Sequence, residues 1–532
     1  MSAAEFDYVI IGAGSAGCVL ANRLSAQAAT RVLLLEAGGR DSSPYIHMPA
    51  GIARLVGNRQ VDWNYYTEPE PELCDRRLYW PRGRVLGGSS SINAMCYTRG
   101  HRLDYDEWAR HGATGWDYAS VLPYFLRSED QSRGAGEYHG TGGPLSVEDL
   151  RYRNPLSTVF VDAGVECGLK HNTDFNAAEQ SGIGYYQVTQ RAGRRCSAAV
   201  AYLRPAQRRK NLQIQTNAPA TRILFDRGRA TGVEFRQRGQ LHTVRAAREV
   251  LLAGGAVASP QLLLLSGIGN PVDLRAHGIA VVAENPGVGE NLQDHLDFCT
   301  LNQSTRPITY DFNAWQEVGV ALRYLATRSG PGVSNVAEAG AFVRSGLAPD
   351  ERADIQLHFV PALLDDHGRN RLAGHGFTIH ACALRPRSRG KLSLRSSRPD
   401  DAPRIQPRYL SDPSDLEILL EGMRISRQIL SSPAFDPYRG AEIYPGAHAV
   451  QREELEEVLR RKAETIYHPV GSCRMGNDAG SVVDCELRVR GVDGLRVADA
   501  SVMPRLIGGN TNAPTIMIAE RLADRLLQAH EH

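Results

Sequence analysis

The chain opens on Phe6-Asp7-Tyr8-Val9-Ile10-Ile11, a short β-branched apolar run of the kind that forms a strand buried on both faces. Gly12, Gly14 and Gly17 follow at GxGxxG spacing, a helix is expected from Ser15 to Leu24, and Arg31-Val32-Leu33-Leu34-Leu35 reads as the next strand, closing on Glu36. The three glycines suit a tight turn, close approach of backbone to a pyrophosphate, and close packing of helix on strand. The helix N-terminus offers its free N–H groups and dipole to phosphate. Glu36 can accept both ribose hydroxyls and would repel a 2′-phosphate, which argues against NADP; the pattern does not separate NAD from FAD. The strand pattern returns at Glu249-Val250-Leu251-Leu252-Ala253-Gly254-Gly255-Ala256, with a helix expected from Ser259 to Leu265, and again at Leu495-Arg496-Val497-Ala498-Asp499. The latter leads through Gly508-Gly509-Asn510-Thr511-Asn512-Ala513-Pro514-Thr515 into an apolar helix from Ile516 to Leu527. Asn512 is its candidate cap and Pro514 a tolerated first-turn residue.

Residues 156–194 and 311–461 have a different texture. Alternating stretches such as Asp354-Ile355-Gln356-Leu357-His358-Phe359-Val360 and Lys391-Leu392-Ser393-Leu394-Arg395 predict an antiparallel sheet with one solvated or cavity-facing side. The chain is too long for one core. The pattern therefore predicts an α/β (α+β) architecture: a Rossmann-like cofactor-binding domain from 1–155, 195–310 and 462–532, and a substrate domain built on the antiparallel sheet from 156–194 and 311–461.

Composition removes several function classes. A net charge of +2 gives no global electrostatic case for nucleic acid. Nine scattered cysteines without a CxxC pair read as reduced thiols, and no metal site is expected. With the first strand starting near residue 6 there is no room for a signal peptide, and no apolar stretch is long and unbroken enough to span a membrane, so a cytoplasmic location is expected. The basic run from Arg385 to Arg398 is read as the charged outer face of a strand in preference to a membrane patch.

A second glycine cluster, Arg82-Gly83-Arg84-Val85-Leu86-Gly87-Gly88-Ser89-Ser90-Ser91-Ile92-Asn93-Ala94-Met95, has the small side chains needed where backbone lies against a flat ligand. Together with GAVASPQLLLLSGIG (255–269), PGVGENLQDH (286–295), YHPVGSCRMG (467–476) and GLRVADASVMP…GNTNAPT, it resembles the glucose-methanol-choline oxidoreductase family over essentially the whole chain. Within that family the likeness is strongest to FAD-dependent dehydrogenases of aliphatic alcohols and to choline dehydrogenases.

The resemblance implies FAD as cofactor. It places AMP and pyrophosphate at Gly12, Gly14, Ser15 and Glu36, and the isoalloxazine against Gly87, Gly88, Ser89, Asn93 and Ala94. Asp499 and Ala500 meet the pyrophosphate and ribityl region. Ala16, Ala37, Arg84, Met95, Ala220, Ala253, Gly254, Asn512, Pro514 and Thr515 complete the implied contacts. Some relatives attach flavin to a histidine at the position of Ile92 here, so noncovalent FAD is expected.

His468 matches the family's catalytic histidine and Asn512 its second active-site position, although Asn512 also reads as a helix cap. The expected chemistry is oxidation of a primary, medium-chain aliphatic alcohol, with His468 taking the hydroxyl proton, Asn512 holding the oxygen, and the dipole of the last helix stabilising reduced flavin. Trp63, Glu338 and Tyr467 are candidate substrate-pocket residues. Trp63, Glu338 and Trp315 could also build a cage for choline, the competing substrate. Electrons are expected to pass to a quinone, with peripheral contact at the inner membrane. An oxidase using dioxygen, or a lyase on the same fold without net redox chemistry, remain the rivals.

Overall fold

The computed structural model describes residues 4–370 and 372–529; the outermost ends of the first and last domain segments lie outside them. Glu5–Ile11 is central to a seven-stranded sheet, parallel to Val32–Leu35 on one side and to the end of Gln240–Leu252 on the other. Leu212–Gln215 extends the sheet beyond Val32–Leu35, and Leu495–Val497 pairs with Gln240–Leu252, both parallel. All four residues of Val32–Leu35 are buried, as their unbroken apolar pattern requires. Helix Ser15–Leu24 packs against the last helix, Asn512–Gln528. The first half of Gln240–Leu252 departs from the parallel scheme and pairs antiparallel with Arg229–Gln237, which in turn pairs with Ala220–Asp226.

The second sheet is antiparallel throughout, in the order Arg439–Tyr444, Leu296–Ser304, Gly376–Ala383, Ile355–Val360, Ala339–Val343, Gly182–Tyr185. Ile355–Val360 is buried along its whole length: helices Pro155–Glu166 and Pro413–Leu430 pack against it, and His358 and Val360 look into a cavity. Its alternation therefore records a cavity-facing side.

Three sequence expectations need correction. Leu296–Ser304 and Glu464–Thr465 belong to the second sheet, so that layer takes strands from segments assigned to the cofactor domain. Among the described residues Lys391–Ser393 pairs as a strand only with Arg404–Gln406, and Leu392 and Ile405 join the core of the first sheet. The run from Arg385 to Arg398 is largely engaged in partnerships, Arg385 with Asp104, Arg395 with Glu68 and Arg398 with Asp401, instead of forming a strand's charged outer face. Among the described residues no helix is long and apolar enough to cross a membrane.

Candidate active site

A cavity of about 760 Å³ lies between the sheets. Ile11, Leu35 and Leu252, near the carboxyl ends of three parallel strands, form one wall, where open α/β sheets bind ligands. His358, Val360 and His380 of the antiparallel sheet form another.

The end under the parallel sheet is shaped for a dinucleotide. Gly12 has φ +97°, and a Cβ there would stand 2.5 Å from the Ala253 carbonyl oxygen; a Cβ on Gly88, at φ +53°, would stand 2.7 Å from Gly14 Cα. Gly88 needs glycine to let the two glycine-rich turns meet, and Gly12 to let the first turn lie against the backbone that follows strand Gln240–Leu252. The Glu36 carboxylate accepts the Ala13 and Gly38 N–H groups, each at 2.8 Å, and each oxygen retains a lone pair for a hydroxyl donor. Burial pushes its pKa up to about 7 against the pull of those two hydrogen bonds. Arg84 stacks over Trp63 at 4.8 Å, and its buried Nε has no hydrogen-bond partner among the described residues, a donor held ready in the cavity wall. Asp499 ties the start of helix Gly255–Leu265 in place by accepting from Gly255 N (2.9 Å) and Ser259 Oγ (2.6 Å). These residues fit FAD.

The other end holds the chemistry. His468 follows the short strand Glu464–Thr465, and its backbone N–H donates to the buried Asp294 at 2.8 Å. Its ring is enclosed by a chain of contacts that sets the proton positions. His295 Nε2 lies 3.0 Å from the Leu384 carbonyl, which can only accept, so the proton sits on Nε2 and leaves Nδ1 bare. His295 Nδ1 lies 3.0 Å from His468 Nδ1, so His468 carries its proton there and presents a bare Nε2. That nitrogen faces the amide of Asn510, whose Nδ2 donates to it at 3.1 Å. Asn510 is held by Thr98, which accepts its backbone N–H at 2.7 Å, and by Gln356, which donates to its Oδ1 at 3.2 Å.

Burial, reinforced by His295, His358 and Arg82, holds His468 well below the usual histidine pKa. Burial likewise brings His295 down to about 4 and His358 to about 3. Their folded pKa values lie below the unfolded value of about 6.5, so the unfolded chain binds more protons in acid. The stability of keeping these rings neutral is therefore present above about pH 6.5 and is lost as pH falls toward about 4. Thermal unfolding of the holoenzyme across that range should show a steadily falling midpoint; a flat midpoint would contradict the burial of these imidazoles.

Beside the cavity a second titratable cluster joins Asp297, Cys299, His380 and Glu464, with ligand-type atoms within 4.8 Å of one another. Asp297 holds His380 at 2.6 Å. Burial lowers the pKa of His380, but the two carboxylates outweigh it and the net shift is upward, while burial and Asp297 push Glu464 up to about 8.

Most candidate site residues named from the sequence face this cavity, with four exceptions: Gly87, Pro514, Glu338 and Trp315. Gly87 is a turn residue whose N–H reaches the Ala13 carbonyl, and Pro514 is packed inside the first turn of the last helix. Glu338 is buried elsewhere, its carboxylate taken up by Ser334, Tyr310, Ser157 and the Asn154 N–H. Trp315 is 85 % exposed, so neither it nor Glu338 can help form a cage here. Trp63 and Tyr467 do line the cavity, Tyr467 at φ +77°.

The structure separates His468 from Asn512. Asn512 is the first residue of the last helix, not its cap, and its Oδ1 accepts from Ser15 Oγ at 2.7 Å, against the glycine-rich turn. Asn510, two residues earlier, is the one beside His468. Sequence reasoning also passed over His295, although it ends the quoted PGVGENLQDH run, and His358.

Known proteins resemble this chain along nearly its whole length. Family models for the N- and C-terminal parts of GMC oxidoreductases match residues 6–297 and 386–519. The chain is 49% identical over 530 residues to an alcohol dehydrogenase [acceptor] of Pseudomonas putida, covering 98% of this chain and 96% of that one. It is 46% identical over 531 residues to the mitochondrial choline dehydrogenase of Homo sapiens, covering 98% and 89%. The crystal structure of pyridoxine 4-oxidase from Mesorbium loti superposes with a TM-score of 0.90 at 32% identity, covering 99% of each chain. The protein is thus an FAD-dependent oxidoreductase, and the chain belongs to the GMC oxidoreductase family.

Proposed function

We propose that this protein is a dehydrogenase of primary, medium-chain aliphatic alcohols that delivers electrons to a quinone. The observation that carries the reading is the bare Nε2 of His468, set by His295 and braced by Asn510 in the cavity wall. FAD, when bound, supplies the two-electron acceptor. His468 Nε2 takes the proton of the substrate hydroxyl, and the Asn510 amide holds the oxygen at a defined position as it becomes an alkoxide. Neutral His468 is the active form, and its lowered pKa keeps it so throughout the neutral range.

The chain-length preference follows from the wall opposite. Ile52, Val56, Val336, Val360, Leu364 and Ile466 give the cavity an apolar arm, and an alkyl chain gains roughly 0.8 kcal/mol per buried methylene. Specificity constants should rise by roughly fourfold per methylene from ethanol to octanol. A flat series, with good turnover of choline, would reverse the assignment. Choline is the second reading, supported by the mitochondrial relative and by Trp63 and Tyr467 in the cavity wall. A lyase or a redox-silent flavoprotein would show no bleaching of the flavin on anaerobic mixing with any alcohol, and a dioxygen-dependent oxidase would reoxidise rapidly in air without a quinone.

Ile92 lines the cavity where a covalent flavin link would need a nucleophile, and its alkyl side chain offers none. Acid precipitation should leave the yellow colour in the supernatant; colour in the pellet would show a covalent bond.

A further inference from the structure

Four buried side chains on one face of the antiparallel sheet converge outside the machinery assigned above. In Leu296–Ser304, Asp297 and Cys299 are two residues apart and so point to the same side. Asp297 stands directly opposite Glu464 on one neighbouring strand, and Cys299 directly opposite His380 on the other. The four come from three strands, so no short spacing along the chain announces them.

Their distances suit a small cation. Cys299 Sγ lies 3.1 Å from His380 Nδ1, 3.7 Å from Asp297 Oδ2 and 3.8 Å from Glu464 Oε1. In a tetrahedral site with Zn–S of about 2.3 Å and Zn–N or Zn–O of about 2.0–2.1 Å, the ligand atoms stand roughly 3.3 to 3.7 Å apart. The Asp297–His380 contact, at 2.6 Å, is the edge that has to open, by under about 1 Å. A second observation points the same way. Asp297 is 1% exposed, and its Oδ1 is buried without a hydrogen-bond partner among the described residues. A carboxylate oxygen withdrawn from water and left unpaired is costly, and coordination to a metal removes that cost. Glu464 is flanked by His367, whose Nε2 lies 3.6 Å from Oε2, an outer partner of the kind that orients a ligating carboxylate.

We infer that Asp297, Cys299, His380 and Glu464 form a binding site for a zinc ion. The donor set selects the metal. A thiolate and an imidazole disfavour magnesium and calcium, which take oxygen ligands, and two carboxylates with a single sulfur disfavour copper(I). Four protein ligands leave no open position, which makes the site structural. Its place shows what the ion ties together: Glu464–Thr465 runs on toward His468, and Leu296–Ser304 follows His295, so the ion clamps the two strands beside the paired histidines. His380 also lines the cavity, which gives the ion a way in. The site does not depend on the identity of the substrate.

The test is to dialyse holoenzyme against zinc and then against metal-free buffer, count zinc and flavin, and record zinc K-edge X-ray absorption. Wild type should retain one zinc per flavin, with one sulfur neighbour at about 2.3 Å and three nitrogen or oxygen neighbours near about 2.0 Å. Cys299→Ser and Asp297→Asn nearly preserve side-chain size, so they should keep their flavin while binding zinc at least about 100-fold more weakly. Cys74→Ser alters an exposed thiol and should bind zinc as wild type does. Added zinc should raise the thermal midpoint of wild type and of Cys74→Ser and leave that of the two cluster variants unchanged. The wild-type spectrum decides the matter even where a variant does not fold, because the neighbouring group of Asp366, His367 and Glu464 contains no sulfur. Wild type that retains no zinc, zinc without a sulfur neighbour, or zinc held equally well by both cluster variants would overturn the assignment. So would loss of the zinc in Cys74→Ser, since a surface thiol would then be the ligand.

Discussion

His468→Ala should purify as a folded yellow protein whose flavin is reduced by alcohol about 10² to 10⁴ times more slowly than in wild type. The magnitude is that of removing a positioned general base. The fold should survive because the loop is anchored through backbone and neighbours: the residue 468 N–H still reaches Asp294, which also accepts from Thr465 and Tyr409. The vacated space leaves His295 Nδ1 facing a small polar cavity that water can enter. Anaerobic rapid mixing, monitored by bleaching of the flavin, separates this step from reoxidation. Reduction at the wild-type rate would remove His468 from the chemistry.

The second large effect distinguishes two asparagines only two positions apart. Asn510→Ala removes the amide that faces His468 Nε2 and should lower kcat/KM by about 10²-fold, the usual consequence of losing one donor aimed at a developing oxyanion. Flavin content should be unchanged. Asn512→Ala removes a partner of Ser15 at the glycine-rich turn instead, so it should weaken FAD retention while leaving the reduction rate of the loaded enzyme within a few-fold of wild type. Measuring flavin occupancy and reduction rate on both variants decides the matter. If Asn512→Ala slows reduction and Asn510→Ala does not, the structural pairing is wrong and the assignment read from the sequence stands.

The histidine relay explains why these side chains cannot be judged one at a time. The Leu384 carbonyl belongs to the segment that follows strand Gly376–Ala383, His295 immediately precedes strand Leu296–Ser304, and His468 follows Glu464–Thr465. Only the pairing of those strands in one sheet stacks the three groups so that a backbone acceptor dictates which nitrogen of a remote ring is bare.

Local pattern alone determined the dinucleotide-binding unit at the start of this chain. The GxGxxG turn, the helix Ser15–Leu24 and the acid after Val32–Leu35 are set by interactions among neighbours in the chain: glycine φ angles, a helix start and a doubly buried strand. Period-two alternation likewise revealed a second, antiparallel sheet. Pattern could not decide which strands join it, because Leu296–Ser304 and Glu464–Thr465 are recruited by pairing across long sequence separations. Nor could it choose between Asn510 and Asn512. Each is a small amide near a helix start, and whether it meets His468 or Ser15 depends on the direction in which the turn enters the last helix once that helix has packed on Ser15–Leu24. Tertiary structure alone withdrew Glu338 into the interior and left Trp315 in water, since burial is a property of the assembled surface and not of the residue.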